Sequence, residues 1–161
     1  MIVLGIDPGT VRIGYGIIEL QKGKLIRKIN GLLDIPTGLT ENNRLPVIEK
    51  SFKRLLLEQM PDRMSIERLF FAKNQKTAMS VAQARGVLLN TAIKQGIEIR
   101  EQTPLQVKIA VTSNGRASKE EVATMVKKLL CIPKTERIID DVTDALAIAI
   151  AGINNDYHIT S

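Results

Sequence analysis

The sequence predicts an α/β fold: one mixed sheet of five strands, three antiparallel and then parallel, flanked by helices. Three observations predict it. Short apolar runs rich in β-branched residues, broken by turn residues, fill the first 34 positions. Beyond residue 40, apolar residues recur at helical spacing in five segments. Two further strand-like runs are interleaved with the first of those helices. The resulting order, β-β-β-α-β-α-β-α-α-α, is that of a sheet covered by helices.

Ile2–Asp7 is apolar and ends at Pro8-Gly9, a strand followed by a turn. Ile13–Leu20 is the second strand, with Gly14 and Gly16 interrupting its regular pattern. Gln21–Lys24 contains Gly23 and reads as a hairpin loop leading to a third strand, Leu25–Asp34. Thr40 or Asn42 can cap the first helix, and Pro46 is compatible only with its first turn. Ile48, Phe52, Leu55 and Leu56 form its inner face, and Met60-Pro61-Asp62 stops it. Met64–Glu67 is a short strand. Gln75–Gln95 is a long helix with Met79, Ala82, Gly86, Leu89 and Ile93 on one stripe, closed by Gly96. Ile97–Glu101 is the fifth strand. Thr103-Pro104 opens a helix that Asn114-Gly115 closes. Ser118 and Glu121 form a capping box for the next, whose buried face is Val122, Met125, Val126, Leu129 and Leu130. The last helix runs from Asp140 to about Gly152. With no repeat, low-complexity tract or linker, residues 1–153 read as one domain and 154–161 as a short tail.

The chain has 161 residues, enough to bury a core without disulfides. Its 44% apolar and 25% charged residues are those of a globular protein rather than a disordered one. A single cysteine, Cys131, excludes a disulfide framework and a Cys-rich zinc module; it reads as a small core residue. The only histidine, His158, lies in the tail, which argues against a histidine metal site or a Ser-His-Asp triad. No apolar stretch is long enough for a membrane span, and the N-terminus lacks the basic start of a signal peptide. A cytoplasmic protein is expected.

Net charge is +6, and it is unevenly placed. Residues 63–137 hold 14 basic and 6 acidic groups, whereas residues 138–161 hold 4 acids and no base. A clustered positive excess points to a polyanion partner.

The acids carry the chemistry. Asp7 ends an otherwise apolar strand, and Glu67 ends the short strand Met64–Glu67 in the same way. A carboxylate beside buried strand residues is costly unless paired or metal-bound. Asp141 and Asp144, three apart at the start of an otherwise apolar helix, share one face near the positive end of its dipole. Such an all-oxygen set selects hard cations such as Mg²⁺ or Mn²⁺, and a pair of these ions suits phosphodiester cleavage. Each acid taken singly is also an ordinary cap or a solvated strand end. Lys108 and Lys119, at two helix starts, can neutralise phosphates, as can Arg116 in the flexible stretch before Ser118. Phe70-Phe71, two of only three phenylalanines, sit among Arg68, Lys73 and Lys76. One of them suits a base-stacking wedge and the other an anchor to the core.

Several motifs together are similar to the bacterial RuvC family of Holliday junction resolvases. They are Leu4–Thr10 with Gly14-Tyr15-Gly16, Ile66–Asn74, Gln83-Ala84-Arg85-Gly86, Gln106-Val107-Lys108 and Asp141–Ala149. The similarity spans about residues 1–153. It implies an RNase H-like fold, a homodimer and four-way junction DNA as substrate. It also implies paired symmetric Mg²⁺-dependent nicks, with two ions per subunit and Mn²⁺ as a substitute, and the RuvA–RuvB branch-migration complex as a partner. Asp7, Glu67, Asp141 and Asp144 match the family carboxylates, and Phe70 the aromatic that stacks on bases. Lys108 and Lys119 match its active basic residues; Phe70, Lys73, Arg85, Lys108, Arg116 and Lys119 are the expected DNA contacts. Asp140 adds an acid beside Asp141, which keeps the i, i+3 spacing. The small residues Ala78, Ala82, Ala84 and Gly86 place a dimer seam on the long helix. The sequence also admits three alternatives: a relative of actin-like phosphotransferases, suggested by Asp7-Pro8-Gly9-Thr10; a non-catalytic DNA-architectural protein; and a relative acting on RNA.

Overall fold

A computed structural model of the chain describes residues 1–9, 12–69 and 75–154. The elements are β1 (Ile2–Pro8), β2 (Ile13–Gln21), β3 (Lys24–Leu32), α1 (Glu41–Gln59), β4 (Arg63–Glu67), α2 (Gln75–Lys94), β5 (Glu98–Gln102), α3 (Pro104–Thr112), α4 (Lys119–Leu129) and α5 (Asp140–Asn154). The order of elements is the one the sequence predicts. The five strands lie in the order β3-β2-β1-β4-β5. β1 pairs antiparallel with β2 and parallel with β4; β2–β3 is antiparallel and β4–β5 parallel. The β2–β3 hairpin turns on Lys22 and Gly23, both at positive φ, as a two-residue turn that follows strand twist requires.

Alternation along the strands sorts the sheet into two faces. Leu4 and Ile6 of β1, Ile13 and Ile17 of β2, and Met64 and Ile66 of β4 pack with α1 and α2, where Ile48, Phe52 and Leu88 are fully buried. Val3 and Ile18 point to the other face and pack with α3, α4 and α5. That second face therefore also carries Gly5, Asp7, Gly14, Gly16, Ser65 and Glu67. Its small residues let α5 approach the strands at backbone distance. A methyl on Gly5 would overlap the carbonyl oxygen of Ala145 and lie 2.5 Å from the amide nitrogen of Ala149. One on Gly16 would meet Leu146 at 2.6 Å, and one on Gly152 would meet the Cβ of Ser65 at 2.6 Å.

Three expectations are corrected. α1 starts at Glu41, after Thr40, so Pro46 falls in its second turn rather than its first. The missing N–H forfeits only the bond to the carbonyl of Asn42, which is exposed and can be hydrated. α2 turns Ala84, Leu88, Thr91 and Ala92 inward, whereas Met79, Gly86 and Ile93 of the expected stripe are exposed. Cys131 is exposed, not a core residue: it sits at φ 52 in the turn after α4, which directs its side chain outward. His158 lies outside the described residues. Among the described residues, no helix is long and apolar enough to cross a membrane.

The close approach of α5 has a direct test. Gly5→Ala should lower the unfolding free energy by about 1–3 kcal/mol or more in urea titration, because the new methyl meets backbone rather than a movable side chain. An unchanged midpoint would mean that α5 does not rest on β1 at this distance.

Candidate active site

The site grows from the ends of two neighbouring parallel strands. Ile6 of β1 is in register with Ile66 of β4, so Asp7 and Glu67 follow side by side at the same edge of the sheet. Alternation points both toward α5. Gly14 pairs with Asp7 across the β1–β2 ladder, and a methyl there would overlap the carbonyl oxygen of Asp141. The first turn of α5 therefore lies over the end of β1, with Asp141 in that turn and Asp144 one turn further along the same face.

The electrostatics show how closely the acids crowd. The Asp7 carboxyl is pushed up from 3.8 to about 7, first by burial and then by the charges of Asp144, Glu67 and Asp141, with Lys119 acting in the opposite direction. Burial also raises Glu67, with Asp144 adding to it. Asp140, by contrast, is not among the groups that act on Asp7; its side chain is 84% exposed and pairs with Lys119. The geometry thus separates the two adjacent acids and groups Asp141 with the strand-end carboxylates.

Basic groups border this cluster. Lys119 opens α4 behind a capping box in which Ser118 and Glu121 exchange hydrogen bonds with each other's backbone. Its Nζ lies 3.1 Å from Asp144 Oδ2 and 3.4 Å from Asp140 Oδ2. The Asp144 contact is the main cause that raises the Lys119 ammonium above its ordinary value. Arg12 Nε approaches Asp141 Oδ2 at 3.1 Å, but without hydrogen-bond geometry; among the described residues that buried oxygen takes no hydrogen bond. A cleft of about 240 Å³ runs beside the acids, lined by Glu67, Asp144, Lys108 and Lys119 with Val107 and Ile148. Lys108 reaches it from α3, which opens with a second capping box, Thr103 with Gln106.

The remaining expected DNA contacts fare differently. Arg116 is exposed between α3 and α4, its backbone N–H donating to Asn114 Oδ1 at 3.0 Å. Arg85 points inside the protein instead: its Nη2 lies 2.8 Å from Glu101 Oε1 and its side chain is 14% exposed. Phe70, Phe71 and Lys73 lie outside the described residues. The sequence reading overlooked Arg12 and Glu101. An acid closing a short strand, the pattern that singles out Glu67, also describes Glu101. Nothing local distinguishes Arg12 from any other turn arginine.

A family model described as "Crossover junction endodeoxyribonuclease RuvC" matches residues 3–152. The chain belongs to the RuvC family. A relative of that name from Moorella thermoacetica is 44% identical over 150 residues, 93% of this chain and 89% of the relative. One from Syntrophomonas wolfei is 43% identical over 161 residues, 100% of this chain and 92% of the relative. The structure of Thermus thermophilus RuvC in complex with a Holliday junction substrate superposes with a TM-score of 0.85 at 30% identity, covering 94% of this chain and 92% of that one. The five-stranded mixed sheet with its flanking helices is RNase H-like, the RuvC architecture.

The donor set of this RuvC chain fits a hard divalent cation. It is all carboxylate, it crowds enough to hold a proton on Asp7 to about pH 7, and it includes a buried oxygen with no hydrogen bond among the described residues. Among the described residues, no group of three or more His, Cys, Asp or Glu side chains is placed to hold a metal ion, so the carboxylates as they stand do not form a coordination set. Ligands from a substrate phosphate would have to complete one.

This crowding has a cost that can be measured. Folding raises the Asp7 pKa above its ordinary value. Ionising Asp7 therefore destabilises the fold; the loss grows as pH rises from about 4 to about 7 and is constant above. In chelator at pH 8, Asp7→Asn should be more stable than the parent by about 1–3 kcal/mol, with the gap vanishing toward pH 4. Denaturant melts across that pH range read it directly, and an Asn variant less stable at every pH would refute the crowding.

Proposed function

We propose that the chain is a structure-selective endodeoxyribonuclease that resolves four-way Holliday junctions by paired symmetric nicks. These nicks require Mg²⁺, leave 5′-phosphates and serve homologous recombination and DNA repair. The observation that carries this reading is the crowding of Asp7 by Glu67, Asp141 and Asp144 at one sheet edge, beside a cleft that holds Lys108 and Lys119. Family membership and the junction complex of the Thermus thermophilus relative support the choice of substrate.

Asp7, Glu67, Asp141 and Asp144 would hold the cations. Two divalent ions, when bound, supply an activated water for in-line attack on phosphorus and stabilise the departing 3′-oxygen. The protein's own groups do the rest. Lys108 and Lys119 place positive charge along the wall of the cleft, where it can orient the scissile phosphate and offset charge developing on its oxygens. The apolar Val107 and Ile148 beside them lower the local dielectric and strengthen those contacts. Arg116 reaches the duplex arms from the α3–α4 connection, Lys73 contacts the backbone, and Phe70 stacks on bases at the branch point.

Symmetric nicking needs two sites related by a two-fold axis, hence a homodimer. The outer face of α2 suits the seam. Met79 and Ile93 are 67% and 63% exposed, and Gly86 between them has open space above it. Ala84 is buried in the chain's own core and drops out of that seam; Ala78 and Ala82 flank it half-buried. A DNA substrate of this kind fits a cytoplasmic protein that works beside the RuvA–RuvB complex.

A synthetic four-way DNA junction, a linear duplex and an RNA–DNA hybrid, each with Mg²⁺ and with chelator, test the reading. Paired nicks in the junction alone, only with Mg²⁺, are expected. Asp7→Asn should bind the junction and fail to cut it, with a rate loss of at least about 10³-fold. Junction binding that is indifferent to Mg²⁺, with no nicking by the parent, would instead mark an architectural protein. Met79→Glu with Ile93→Glu should shift the protein to monomer in sedimentation analysis and abolish paired cutting.

A further inference from the structure

The carboxylate of Glu67 projects toward α5, but its main chain is gripped from the opposite face. The β1–β4 register ends at Ile6 and Ile66, so Glu67 stands one residue past the last pair with β1. Among the described strands, only β5 still accompanies it, through Gln102. Glu101 of β5 is in register with Ile66, and alternation puts its side chain on the face of Ile99, which packs with the α1–α2 core. There its two oxygens are divided between arginines on either side. Arg85 Nη2 from α2 lies 2.8 Å from Oε1, and Arg68 Nε lies 3.3 Å from Oε2. Both hold the Glu101 carboxyl below its usual range, Arg85 more strongly. Arg85 Nε also donates to the main-chain carbonyl of Glu67 at 3.4 Å, and the Arg68 N–H donates to the carbonyl of Gln102 at 2.7 Å.

From this we infer that Arg85, seated on Glu101, is a positioning residue for the nicking reaction rather than a DNA contact. The inference rests on the reading of Glu67 as a catalytic carboxylate. The 3.4 Å hydrogen bond alone is weak; the 2.8 Å ion pair to Glu101, a charge contact without hydrogen-bond geometry, keeps the guanidinium in place to make it. With residue 68 bound to the same Glu101, the end of β4 is fixed on the side where pairing with β1 has run out. Glu67 can then present its carboxylate to Asp7 and Asp144 without a wandering backbone. A shift of about 1 Å in such a group is enough to cost about 10²-fold in rate. Since Arg85 projects from α2, it also ties that helix to the acidic cluster.

Arg85→Ala, Arg85→Lys and Glu101→Gln test the inference, with Glu67→Gln as reference. Each would be measured for four-way junction binding in chelator and for single-turnover cleavage at saturating junction over a Mg²⁺ series. Arg85→Ala and Glu101→Gln should bind the junction within about twofold of the parent, cut it about 10–100-fold more slowly and need more Mg²⁺ for half-maximal rate. Arg85→Lys should recover part of the rate, and the Arg85→Ala/Glu101→Gln double variant should be no slower than Arg85→Ala. If Arg85→Ala does not fold, the Lys and Gln variants carry the same comparison. Junction binding weakened about tenfold, with normal cutting at saturation, would make Arg85 a phosphate contact and overturn the inference. Full-rate cutting by Arg85→Ala while Glu67→Gln is inactive overturns it as well. Full-rate cutting by Glu67→Gln overturns the catalytic reading of Glu67 itself.

Discussion

The site depends on a backbone contact between a helix and a sheet. Gly5, Gly14 and Gly16 leave no side chain on β1 and β2 beneath α5, and Ala145, Ala149 and Gly152 offer at most a methyl from the other side. Any larger residue would lift the helix by the thickness of a methyl group or more. Helix height and acid convergence are therefore one quantity: Asp141 and Asp144 ride on the first turns of α5, and Asp7 and Glu67 are fixed at the strand ends below. The glycines that make the strands poor by propensity are those that let the acids meet.

Bringing four carboxylates together is unfavourable, and the surroundings offset it in recognisable ways. The acids of α5 lie at its positive end. Lys119 and Arg12 each sit 3.1 Å from an acid of α5. Two hydrophobic cores, one on each face of the sheet, supply the stability that such a cluster consumes. Asp7 is the residue where folding and chemistry are most opposed: it is the acid that most other charges of the site bear upon.

What could be read from the residues alone was what is local. The capping box at Ser118 and Glu121, the turn around Gly23, the stop at Met60 and the placement of Asp7 and Glu67 at strand ends all follow from neighbours in sequence. The mixed character of the sheet, antiparallel and then parallel, followed from the meander at the start and the βα alternation after it. What could not be read depends on partners far along the chain. The inner face of α2 is set by α1 and the sheet, and a helix carrying apolar residues on two stripes does not reveal which stripe is outward. Arg85 is expected from the sequence as a DNA contact, and its ion pair is not legible there because Glu101 is 16 positions away on another element. Pro46 is accommodated in a second turn because the partner it would leave unpaired lies on an exposed residue, and Cys131 faces outward from a turn at positive φ.

Substoichiometric Mn²⁺ titrated into isotopically labelled protein, followed by amide NMR, tests the convergence most directly. If the acids form one pocket, signals around residues 7, 67, 141 and 144, far apart in sequence, should broaden together at the lowest Mn²⁺ additions, before those of any other acidic segment. Broadening that begins elsewhere on the surface, or reaches one of these four segments without the others, would contradict the single pocket on which the nuclease reading stands.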